Sequence, residues 1–249
     1  MQLASIHPID LRVAAAYVEG LSGPQRTMGV PAIDGTLWLQ ERLEGARRGL
    51  EQAAMGRESG ANVVSLTLAQ ILAAAQPSYV QEGLSLTTLE AAVDRGVGML
   101  LRPSSRLFAD LGVPTAAART MPIRIDASAG MLGGAYIPAN LVPQFRDLLR
   151  ERDVRFVRRL HDSGFDGVGV YGFLLELATY AADRRMGLFE AVDAVTPDAP
   201  RFNPPGTRIV LVDRKRMDHE TVVRLTQSLK PPKRSFMDRM AGRRRPPSF

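Results

Sequence analysis

The stretch from Val168 to Arg185 (VGVYGFLLELATYAADRR) limits the fold more than any other part of the chain. It reads as a helix that is apolar over most of its circumference, and such a helix must be enclosed by other elements. It lies within Met121–Val195, which also holds the clearest strand-to-helix transition. There Ile123 and Ile125 alternate against Arg124, which predicts a strand over Met121–Asp126. A glycine-rich loop follows, Ala135–Ile137 is a candidate second short strand, and Asn140 is placed to N-cap a helix reaching about His161. Pro143 falls in the first turn of that helix, where proline is tolerated. Gly187 breaks the apolar helix, and Leu188–Val192 reads as one or two last helical turns.

The preceding residues read as helices that cover this core. Asp10–Glu19 carries Leu11, Ala14, Ala15 and Val18 on one side; Thr36–Met55 carries Leu39, Leu43, Ala46, Leu50 and Ala53 at the spacing of one buried face. On that second helix Gly45, Gly49 and Ala53 form a small-residue row, which fits either close approach of another backbone or a helix simply weakened by glycine. Val63–Ala75 reads as a buried helix, and Ser105–Leu111 as a short one. Thr87 and Glu90 match a capping box opening a helix that Pro103 ends.

After the proline-rich stretch 196–206, Arg208–Asp213 (RIVLVD) reads as a strand that pairs with Ile123–Ile125, and His219–Leu229 as a helix. The expected architecture is α+β and mainly α: a helical N-terminal half, then helices beside a small sheet of two or three strands. The expected organisation is a helical unit over 1–118, an α+β unit over 119–229 with the 196–206 linker inside it, and a basic, disordered tail over 230–249.

Composition enters through charge. Residues 201–249 hold thirteen Lys or Arg and four Asp or Glu, whereas residues 1–200 hold nineteen and twenty-two, so the net charge of +6 comes from the C-terminal end. With hydrophobic residues at 45% and charged residues at 23%, the chain has ordinary globular composition, and no apolar run approaches the roughly 18 residues of a spanning helix. The start, MQLASIHPIDLR, lacks the basic-then-apolar pattern of a secretory leader. The chain has no cysteine, which excludes disulfides and thiolate chemistry and fits a cytoplasmic protein.

Candidate chemistry is sparse. The loop ASAGMLGGAYIP places Gly130, Gly133 and Gly134 before a helix, where backbone N–H groups converge on an anion; the competing reading is a turn using Gly133 and Gly134 at positive φ. Projecting the 140–161 helix puts Arg152 among Leu141, Val142, Phe145, Leu148, Leu149, Phe156 and Leu160. A guanidinium in that place needs a ligand anion or a carboxylate such as Glu176, unless the helix bends or ends early. On the next helix Gly169, Gly172, Glu176, Thr179 and Asp183 line one stripe, either flanking a substrate or forming a polar face. His7, His161 and His219 are scattered without metal-ligand spacing, and no cofactor or metal is implied.

The tail carries Lys230, Lys233, Arg234, Arg239, Arg243, Arg244 and Arg245, with Phe236, Met237 and Met240 among them. Such a segment contacts nucleic-acid phosphates, an anionic membrane face or an acidic groove on a protein partner, or stays solvated. The leading expectation is a non-enzymatic cytoplasmic interaction or regulatory protein that contacts an anionic partner, nucleic acid first, through this tail, with Lys230, Lys233, Arg234, Phe236, Met240, Arg243, Arg244 and Arg245 as the contact residues. The alternative is a small-molecule enzyme or ligand-binding protein that recognises a phosphate or carboxylate through Arg152 and the Gly130–Gly134 loop, with Glu176 and Asp126 beside them. Homo-oligomerisation is left open by either.

Overall fold

The computed structural model describes residues 3–21, 36–126 and 133–230. In chain order the elements are β1 (Ala4–Ile9), α1 (Leu11–Leu21), α2 (Thr36–Ala54), α3 (Glu58–Ala75) and β2 (Pro77–Val80). A single turn α4 (Leu86–Thr88) and short helices α5 (Ser104–Asp110) and α6 (Thr115–Ala118) lead to β3 (Gly133–Ile137). The chain continues through α7 (Val142–Glu151), α8 (Asp153–Asp162), α9 (Gly167–Asp183), β4 (Gly187–Val192), β5 (Arg208–Val210) and α10 (His219–Ser228). The protein is α+β and mainly α, with one mixed sheet of five strands instead of two or three, in the order β3-β4-β1-β2-β5. Only β2 and β5 run parallel.

The sheet is the middle of three layers. One face holds Ile9 and Phe189 against α1, α2 and α3; the other holds Ile6, Tyr79 and Leu188 against α7, α8 and α9. As expected, α9 is enclosed, burying Val168, Val170, Tyr171, Phe173, Leu174 and Leu177. Helix α3 is its counterpart on the opposite face, buried from Val64 through Ala74 at every position but Leu66.

The strands were the least legible elements. β4 was expected to be helical, because Leu188, Phe189, Ala191 and Val192 do not alternate with polar residues. A strand buried on both faces has no polar face to display, so its period is hidden. The same holds for β1, whose six residues are all buried between β2 and β4. Pro8 is accommodated because it lies past the last β1–β2 register pair, Ile6 with Tyr79. β1 and β2 come from residues before 118, so the sheet draws on both stretches of the chain.

The strand expected at Met121–Asp126 does not form, and β5 pairs with β2 instead. Segment 121–126 is pinned by side chains: Ser104 donates to the Pro122 carbonyl, Arg124 pairs with Glu90, and the Ile125 N–H reaches Glu190. The capping box at Thr87 is also corrected. Ser85 is the cap, accepting from the Thr88 N–H at 3.0 Å, while Thr87 turns to Glu190 and Glu90 closes over Gly98. The expected helix through Leu101 therefore ends as a π-helical turn at Val93 and a 3-10 turn at Val97–Met99. Asn140 lies in a 3-10 turn without a side-chain cap bond, and α7 starts at Val142 with Pro143 in its first turn.

Candidate ligand cleft along helix α9

Gly169, Gly172 and Glu176 of the expected stripe seat the C-terminal segment 212–228, while Asp183 at its far end pairs with Arg146 of α7 at 3.8 Å. An added Cβ at Gly169 would lie 2.8 Å from Val212, and one at Gly172 would run into the Met217 sulfur, so both positions need glycine for packing. Three ion pairs fasten the segment: Arg214 to Asp166 at 2.5 Å, Arg216 to Glu176 at 2.9 Å and Arg224 to Asp153 at 2.6 Å. Asp166 is also the N-cap of α9, accepting from the Gly169 N–H at 3.1 Å, and Arg214 beside it lowers its pKa. All three pairs are substantially exposed, so each adds only about 0–1 kcal/mol.

Where the strap leaves α9 uncovered, a cleft of about 590 Å³ opens between the α7–α8 junction and α10. Its floor runs along α9 from Tyr171 through Gly172, Leu175, Glu176, Thr179 and Tyr180 to Asp183; Arg150 and Asp153 form one wall, and Arg216, Met217, Asp218, Thr221 and Arg224 the other. Tyr171 is only 3% exposed, and its hydroxyl has no hydrogen-bond partner among the described residues. Burial and the nearby Asp153 carboxylate push its pKa up to about 12, against the opposing pull of Arg224 and Arg150. Arg150 has no ion-pair partner among the described residues.

Arg152 lies elsewhere. The expected 140–161 helix breaks at this residue, at φ −119° and ψ 25°, and the break turns its side chain outward to 42% exposure. Its partner is Asp94, at 3.1 Å, and not Glu176; Arg155 reaches the same carboxylate at 3.3 Å, and the Gly96 N–H donates to it at 2.7 Å. None of the three cavities described gathers Arg152, Glu176, Gly133 and Gly134. Gly133 and Gly134 are buried in β3 without positive φ, which corrects the turn reading. They are small because Ser65 of α3 and the Glu190 carboxylate press against their backbone. Gly130, Lys233, Arg234, Phe236, Met240, Arg243, Arg244 and Arg245 lie outside the described residues; Lys230 is exposed just after α10.

Two buried ionisable groups escaped sequence reasoning. Glu190 in β4 accepts from Thr87 Oγ1 at 2.6 Å, the Thr87 N–H at 2.8 Å, the Ala135 N–H at 2.7 Å and the Ile125 N–H. Burial raises its pKa despite these four donors. His7 in β1 is fully buried between Ser5 at 2.8 Å and Ser78 at 3.1 Å, and burial lowers its pKa to about 3. Both brace the sheet; neither faces a cavity among those described. Among the described residues no three His, Asp or Glu side chains cluster to hold a metal, and no helix is long and apolar enough to cross a membrane.

The fold and cleft define the class: a mainly helical α+β protein with a polar groove beside a central helix. No family model matches the chain, and neither the curated proteins nor the solved structures contain a match to it.

Proposed function

We propose that the protein is a non-enzymatic cytoplasmic interaction or regulatory protein that holds an anionic partner, a nucleic-acid backbone, on the arginine face of α8 together with the basic C-terminal segment. The observation that carries this reading is the bond from Arg158 to the Ser228 carbonyl at 3.2 Å. It ties the end of α10, where the basic segment begins, to the helix that carries Arg155, Arg158 and Arg159. Between residues 150 and 162 five arginines face three carboxylates, and Arg152, Arg155, Arg158 and Arg159 border one shallow depression of about 770 Å³ together with Glu151, Asp153 and Asp162, of which Asp153 is taken by Arg224. Arg152 and Arg155 share the single carboxylate of Asp94, so positive charge is left over for phosphates.

Phosphate binding by lysine and arginine releases counterions, so affinity must fall steeply with salt. The test is fluorescence anisotropy with labelled single-stranded and duplex oligonucleotides at about 50 and 200 mM salt. The full chain, a chain ending at Leu229, and the double variant Arg158→Gln with Arg159→Gln are compared. The expected result is salt-sensitive binding by the full chain, with both alterations weakening it and flattening the salt slope. Equal binding by all three proteins sinks the proposal.

A further inference from the structure

The cleft along α9 carries a second inference, independent of the nucleic-acid reading. At its α8 end the buried Tyr171 presents a hydroxyl that has no hydrogen-bond partner among the described residues, and Arg150, without an ion-pair partner among them, stands on the adjoining wall. A phenol enclosed to 3% exposure normally bonds its oxygen to protein. This one lines the cleft and has no protein partner among the described residues. We infer that Arg150 and Tyr171 bind the carboxylate of a small monocarboxylic acid whose apolar body lies along Leu175 and Met217.

Charge selects the anion. Around the Tyr171 hydroxyl stand Arg150, Arg224 and Asp153, and Arg224 is already committed to Asp153 at 2.6 Å. Immediately around that hydroxyl the balance is one positive charge, while the Glu176–Arg216 pair, Asp183 and Asp218 line the rest of the cleft; a monoanion seated at the Tyr171 end fits this arrangement and phosphate in its doubly charged form does not. Arg150 supplies the charged donors and Tyr171 a neutral donor, a hydroxyl that stays protonated at neutral pH. Next along the floor come Gly172 and Leu175, with Met217 opposite: uncharged surface suited to an aliphatic or aromatic body, bordered by Asp218 and by the Glu176–Arg216 pair, which neutralises itself. The cleft volume of about 590 Å³ suits a metabolite-sized ligand.

Isothermal titration calorimetry on the full chain tests this with benzoate, hexanoate and inorganic phosphate. The proteins are the wild type, Arg150→Gln, Tyr171→Phe and, as a control on the exposed side of α2, Arg48→Gln. Neither Arg150 nor the Tyr171 oxygen bonds to the described protein, so both variants should unfold at the wild-type temperature. Both acids should bind the wild type and the Arg48→Gln control alike, and bind each cleft variant about tenfold more weakly, as expected when a charge-assisted bond is lost. Absence of binding by either acid, equal affinity across the four proteins, or tighter binding of phosphate than of the acids overturns the inference. Oligonucleotide binding uses other residues, so either assay can fail without the other.

Discussion

At the residue scale the unusual features are two ionisable side chains in the sheet. His7 stays neutral in the fold, with a pKa of about 3 against 6.5 for an ordinary histidine. The unfolded chain therefore gains a proton below about pH 6.5 that the native state refuses, and stability falls as pH falls from there toward about 3. Between pH 6.5 and 5 this costs about 2 kcal/mol. Glu190 acts in the opposite sense, because its folded pKa is raised: its contribution is full below pH 4.5 and declines as pH rises through the folded value. Urea unfolding of the wild type and His7→Gln at both pH values separates the two, since only the wild type carries the histidine term. The difference between the proteins should shrink at pH 5. Glu190→Ala strands the N–H groups of Thr87, Ala135 and Ile125 inside the sheet and should destabilise the protein by at least about 3 kcal/mol in the same assay. Neither residue was readable in sequence, because three scattered histidines and a glutamate amid apolar neighbours do not reveal a partner more than fifty residues away.

At the element scale the helices were legible and their contacts only partly so. The row Gly45, Gly49, Ala53 divides: an added Cβ at Gly49 would lie 2.8 Å from the Gly60 carbonyl, whereas one at Gly45 would meet nothing within 4 Å. Gly45→Ala should therefore raise the thermal midpoint, by the equivalent of about 0.5–1 kcal/mol of helix propensity. Gly49→Ala should lower it by at least about 1 kcal/mol, because a backbone carbonyl cannot step aside cheaply. Arg152 teaches a related lesson. Projecting residues 140–161 as one helix put this arginine in the core, but a single non-helical residue re-aims everything after it. Periodicity finds helices well and misses a one-residue break between two of them.

For the whole molecule the controlling fact is that the central strand comes from the first ten residues. β1 pairs with β4 over six residues and with β2 on its other side, so closing the sheet joins segments more than 180 residues apart. A chain beginning at Asp10 loses this strand and leaves β2 and β4 without a shared neighbour. It should show no cooperative urea transition and should expose apolar surface to a hydrophobic dye, while the full chain unfolds in a single step. For the same reason a fragment of residues 119–229 holds β3, β4 and β5 but not the two strands between β4 and β5, and should fail the same test.

The helical segments, the enclosure of α9 and the concentration of positive charge at the C-terminal end are properties of the sequence alone, because period, side-chain size and charge are local. The strand identities of β1, β2 and β4, the pairing of Arg152 with Asp94, and the union of Arg150 and Tyr171 in one cleft belong to the tertiary structure. The reason is physical. A strand buried on both faces shows no alternation, and a contact between residues distant along the chain exists only once the layers have packed.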